Sequence, residues 1–163
     1  MPTARPTRII GRLESVDFPA FDITGITAKV DTGAYTSSIH CHHIEVGESD
    51  VTFHVLDATH PEFTEKTIKA KLLALKDVRS SSGHVQRRAM IRTQIRIDGQ
   101  TLTADFTLTD RSDLRHPVLL GRRLLRGRFL VDVGMAFGRR EAPEQDSERS
   151  AEHTLKTDTA DPT

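Results

Sequence analysis

Short runs of β-branched and aliphatic residues, each closed off by turn residues, recur along this chain and leave little room for helix. The pattern predicts strands at 7–13, 26–31, 37–46, 51–56, 67–78, 85–97, 102–108, 118–120 and 129–133. Ile-Asp-Gly-Gln at 97–100 is a hairpin turn, because Asp-Gly supplies the positive φ angles that such a turn needs. Ser80–Gly83 forms a second, looser turn. One short helix is expected, Gly121–Gly127, closed by its last glycine. Many strands with so little helix predict an all-β fold whose sheet curls or closes into a barrel. Aromatic residues make up only 5% and Trp is absent, so the core packs on aliphatic side chains.

The 163 residues are enough for one domain with a proper core. Residues 1–6 read as a flexible N-terminus and 7–138 as the folded domain. The remaining 139–163 are polar and aperiodic, and read as a disordered acidic tail. Formal net charge is zero, which excludes a whole-chain field directed at nucleic acid or membrane. No run is long enough to span a bilayer. Cys41 is the single cysteine, so no intrachain disulfide forms and a reducing, cytoplasmic setting is expected. The charge is segregated, however. Lys66–Arg96 carries nine basic residues against the single Asp77, while Glu141–Thr163 has seven acidic residues and two basic. An acidic partner therefore suits the chain better than a basic one.

The stretch Lys-Val-Asp-Thr-Gly-Ala-Tyr-Thr-Ser, 29–37, ends an apolar strand in Asp31. Asp and Gly alone would explain a turn. A second element follows ninety residues later: Val-Leu-Leu-Gly-Arg-Arg at 118–123, an apolar strand running through Gly121 into the short helix. Together the two resemble the paired signatures of retropepsin-like aspartic peptidases. A closer similarity is to a bacterial branch often labelled ATP-dependent zinc proteases, with Ser-Ser-Gly-His-Val-Gln-Arg-Arg at 81–88 as its flap-like segment. Neither a phosphate-binding Gly-x-x-x-x-Gly-Lys-Ser/Thr loop nor a His-Glu-x-x-His helix is present, so the label's ATP and zinc gain no support.

The resemblance implies a retropepsin-like barrel in which Asp31 is the catalytic carboxylate. Thr32, Gly33, Ala34, Gly121 and Arg122 would support its loop, with Arg122 pairing to a carboxylate. Two adjacent carboxylates cannot both ionise cheaply, so such a pair holds one proton and supplies an acid and a base together. With one Asp-Thr-Gly per chain, the pair requires a homodimer. The hairpin 78–90 would be the flap, with Ser81, Ser82, Gly83 and His84 at its tip and Arg79, Arg87 and Arg88 on its arms. No cofactor is implied. The substrate would be a peptide or protein, acidic or glutamyl-tailed, since relatives of the branch are associated with glutamate-adding ligases. The alternatives are a zinc-dependent peptidase and a catalytically weak peptide-binding module.

His40, Cys41, His42 and His43 look metal-like, but regular strand alternation splits them between two faces, so no metal is assigned there. A nucleophilic role for Cys41 would need a surrounding that lowers its pKa. Asp110 and Asp113 are expected to shape the loop before the Leu-Leu-Gly strand.

Overall fold

The computed structural model of the chain describes residues 7–56, 60–61, 63, 65–80, 82–110 and 115–142. Among these residues thirteen strands and one α-helix follow in order, with a short 3-10 turn at Pro19–Phe21: β1 Arg8–Ile10, β2 Leu13–Phe18, β3 Ile23–Val30, β4 Ser37–Val46, β5 Asp50–Val55, β6 Ile68–Lys71, β7 Ala74–Arg79, β8 Val85–Ile97, β9 Gln100–Thr109, β10 Val118–Leu120, α1 Arg122–Leu125, β11 Phe129–Val131, β12 Met135–Ala136 and β13 Arg139–Arg140. Six of them close a ring in the order β2, β3, β10, β4, β9, β8 and back to β2. The all-β barrel with one short helix is therefore as the residue pattern predicts.

Closure follows from alternation. β8 and β9 pair without a break from Met90↔Thr107 to Ile97↔Gln100, turning at Asp98 and Gly99, both at positive φ. Ile91, Ile95 and Ile97 on one face are fully buried. They meet a small aromatic cluster in which Phe18 lies edge-on to Phe106 and beside Phe21, and Phe21 edge-on to Phe53. Burying each such side chain stabilises the fold by roughly 1.5–3 kcal/mol.

Three expected strands are corrected. The run 7–13 divides into β1 and β2 at Gly11, where a Cβ would lie 2.3 Å from the Met135 carbonyl oxygen. The run 67–78 divides because the chain changes partner. The Leu72 amide donates to Ser49, the Leu73 amide to Met90, and β6 pairs with β5 while β7 pairs with β8. β11 stops at Val131 rather than continuing to 133. The ordered chain also runs past Gly138: β13 pairs with β12, and Glu141 takes two hydrogen bonds from Arg12 at 2.6 and 2.5 Å. The expected flexible N-terminus, and the tail from 143 on, lie outside the described residues. Among the described residues no helix is long and apolar enough to cross a membrane.

Candidate active site

β10 is the element that builds the site. It enters the slot between β3 and β4, parallel to the first and antiparallel to the second. Val118 and Leu120 are fully buried there, which fixes the strand in place. The loop 31–36 joins β3 to β4, so it must cross over the end of β10. That crossing leaves no room for a side chain at residue 121. A Cβ on Gly121 would lie 2.7 Å from the Thr36 carbonyl carbon and 2.8 Å from the Tyr35 carbonyl oxygen.

Backbone bonds stitch loop and strand together. The Asp31 amide donates to Leu120 at 2.9 Å, the Arg122 amide to Ala34 at 2.8 Å and the Arg123 amide to Tyr35 at 3.0 Å. The Gly121 amide donates to the buried Ser37 hydroxyl at 2.9 Å. Within the loop, one carboxylate oxygen of Asp31 accepts the Gly33 and Ala34 amides at 3.0 and 3.2 Å. The turn and the carboxylate are thus one structure: the turn aims the carboxylate. Its other oxygen takes no hydrogen bond among the described residues. Arg122 does brace the loop, but not by pairing with a carboxylate as expected. Its guanidinium donates to the Thr32 carbonyl at 3.0 Å, because the loop presents backbone there.

Asp31 opens onto a cleft of about 590 Å³ between this loop and β7. Lys76, Val78, Arg79 and Arg88 form its far wall. Lys76 donates to the Thr36 hydroxyl at 2.9 Å and stands over the Tyr35 ring at 5.4 Å. Beyond Tyr35 lies a second, more apolar groove of about 560 Å³, bordered by Thr32, Arg122, Leu125, Phe129 and Val131.

The profile of a family described as RimB-like, "Retropepsin-like aspartic endopeptidase RimB", matches residues 9–142. The chain belongs to that family. Curated relatives carry the name "Probable alpha-L-glutamate ligase". That of Shewanella halifaxensis is 34% identical over 137 residues, covering 79% of this chain and 29% of the ligase. That of Parasynechococcus marenigrum is 31% identical over 128 residues, covering 76% and 28%. The chain thus spans under a third of the length of these curated relatives. Among solved structures, the Legionella pneumophila protein Lpg0085, of unknown function, superposes with a TM-score of 0.65 at 23% identity, over 80% of this chain and 96% of that one. That likeness speaks for the fold.

The sequence-chosen residues divide in space. Asp31, Gly33 and Ala34 line the cleft with Arg79 and Arg88, while Thr32 and Arg122 border the neighbouring groove. Gly33 is tight against the Asp31 carboxylate, where a Cβ would come within 3.3 Å. β7 and β8 form the expected hairpin, with Arg79↔Val85 as its last pair; Ser82, Gly83 and His84 are exposed at its tip, and Ser81 lies outside the described residues. Arg87 pairs with Asp77 at 3.3 Å and does not line the cleft. Asp110 does not line it either, and Asp113 lies outside the described residues. Cys41 is fully buried, and burial first, then the charge of Asp110, push its thiol well above the usual range. That is the opposite of an activated nucleophile.

Among the cleft residues that the sequence does not single out are Lys76 and Tyr35. Register would have found Lys76, since it stands opposite Arg88 across the hairpin and so shares its face. The basic run is also less free than its sum suggests, because Lys69, Arg87 and Arg92 face Asp50, Asp77 and Asp105.

Proposed function

We propose that this chain is an aspartic endopeptidase that completes its active site by pairing Asp31 with Asp31 of a second copy, and that it acts on acidic, glutamyl-rich segments. One observation carries the reading. Asp31 lines a cleft with one oxygen fixed by two backbone amides and the other taking no hydrogen bond among the described residues.

Peptide hydrolysis needs a base to take a proton from water and an acid to protonate the scissile carbonyl oxygen. A single carboxylate cannot do both at once, whereas two that hold one proton between them can. The ionised partner accepts the proton of the attacking water while the protonated one donates to the carbonyl. Collapse of the tetrahedral intermediate then returns a proton to the leaving amine. The other carboxylate bordering the cleft, Asp77, is engaged by Arg87, which favours a second subunit as the donor of the partner. A two-fold axis beside the loop is supported by the apolar groove next to Thr32 and by Ile9 and Leu130, cross-strand neighbours that are 56% and 59% exposed.

Substrate class follows from the cleft wall. Lys76 and Arg79 offer cationic groups along one side, suited to successive carboxylates of an extended peptide. The glutamate-ligase name of the relatives supports the same chemistry.

The experiment is hydrolysis of a protein bearing a glutamate-rich tail, by the full chain and by Asp31→Asn. Asparagine keeps an oxygen for the Gly33 and Ala34 amides, so the variant should fold and associate normally while its rate falls by about 10²–10⁴-fold. Equal rates for the two proteins would refute the assignment. A wild-type dimer that binds such tails without cleaving them would instead support the peptide-binding module.

A further inference from the structure

Regular alternation would place His42 and His43 on opposite faces of β4, where they could not share an ion. The alternation fails at this point. The register between β4 and β5 shifts between His42 and Glu45, and His43 adopts φ 50°, a left-handed conformation that is rare outside glycine. The bulge swings the His43 ring to the side of its neighbour. Ring centroids of His42 and His43 are 4.7 Å apart, His42 and His54 5.1 Å, and His43 and His54 5.2 Å. His54 lies directly across from His42 in the ladder.

A triangle of this size has a chemical meaning. Three imidazoles bound to one tetrahedral ion through nitrogens at about 2.0–2.1 Å put their ring centres roughly 5 Å apart. Hydrogen bonds hold one nitrogen on each of two of the rings and leave the other for an ion. Nδ1 of His42 meets the Leu56 carbonyl, which can only accept, so the neutral ring carries its proton there and leaves Nε2 with a free lone pair. Nε2 of His54 is held by the Thr67 hydroxyl at 2.9 Å, leaving Nδ1. His43 is exposed and no hydrogen bond from a described residue holds its ring. A pocket of about 300 Å³ lined by His43, His54, Glu45, Thr52 and Thr67 gives an ion access and a carboxylate nearby.

We propose that His42, His43 and His54 bind a divalent transition-metal ion of the zinc or nickel type, with Glu45 or water completing its shell. Among the described residues no group of three or more ligating side chains is arranged to hold an ion, so closure requires the rings to turn toward one another. The site belongs to the β4–β5 ladder. His42 is five residues beyond Ser37, roughly 17 Å along the strand from the active-site loop, so the ion clamps two strands and takes no part in peptide hydrolysis. The inference is independent of the proposed peptidase activity.

The test uses the untagged full chain, stripped of metal and titrated calorimetrically with zinc chloride at neutral pH. Saturation at one ion per chain is expected, with His43→Ala and His54→Ala each weakening the affinity by more than about tenfold and Asp31→Asn binding like the wild type. His43 is exposed, so His43→Ala reports on binding even if His54→Ala fails to fold. The proposal is overturned if no saturable equivalent binds, if His43→Ala binds as tightly as the wild type, or if Asp31→Asn abolishes binding.

Discussion

Replacing Gly121 by alanine would place a methyl group 2.7 Å from the Thr36 carbonyl carbon and 2.8 Å from the carbonyl oxygens of Thr36 and Tyr35. All three atoms are backbone, so no side-chain rotation relieves the clash. Gly121 itself has φ −90° and ψ 172°, a conformation that alanine adopts without strain. The penalty is therefore steric, and its size depends on how far the loop can move away from β10. Moving it costs the amide bonds of Gly121, Arg122 and Arg123 to the loop, at 2.8 to 3.0 Å. Overpacking of this kind costs about 1–3 kcal/mol, which for a domain of this size lowers Tm by roughly 3–15 °C. The assay is thermal and urea unfolding of Gly121→Ala beside Asp31→Asn, which should match the wild type. Hydrolysis should fall with Gly121→Ala as well, since a displacement of about 1 Å at a reacting group can cost about 10²-fold. A Gly121→Ala protein within about 0.5 kcal/mol of wild type would refute the claim that this crossing fixes the loop.

Two further substitutions separate binding from stability. Lys76→Met removes the bond to Thr36 and a cleft cation, so KM for an acidic peptide should rise roughly tenfold with kcat less affected; an unchanged KM would remove Lys76 from substrate recognition. Asp105 is nearly buried between Arg92 at 2.7 Å and Arg123 at 3.2 Å, and the hydrogen bond from Arg92 holds its carboxyl below the usual range. A carboxyl lowered by folding stabilises the fold above its unfolded value of about 3.9, and the contribution is lost as pH falls through the folded value. Arg92→Met should therefore be less stable than the wild type near neutrality, with the gap closing in acid; a gap that stays constant in urea titrations across that range would contradict the linkage.

How much could be read from the chain varies with the kind of interaction. The turn at Asp31 and the close crossing at Gly121 were legible because each residue type suits its local backbone, one by accepting the amides of its own turn and the other by lacking a Cβ. The β8–β9 hairpin was legible because Asp98 and Gly99 supply positive φ at the turn. The division of 67–78 into β6 and β7 was not, because both halves carry the same aliphatic signal and only their distant partners differ. Arg122 illustrates the same limit: its charge suggested an ion pair, and the fold supplied a backbone carbonyl. The strand face of His43 was misjudged for a sharper reason. Period-two alternation is an average property of strands, and one bulged residue at positive φ reverses it.

The most direct test of the shared-carboxylate mechanism is to co-express wild-type and Asp31→Asn chains in equal amounts and measure hydrolysis per total chain. If each active site needs Asp31 from both subunits, only dimers of two wild-type chains work, and random pairing leaves about one quarter of the wild-type rate. A rate of about one half, scaling linearly with the wild-type fraction, or of about three quarters, would show that a single Asp31 suffices and would contradict the account.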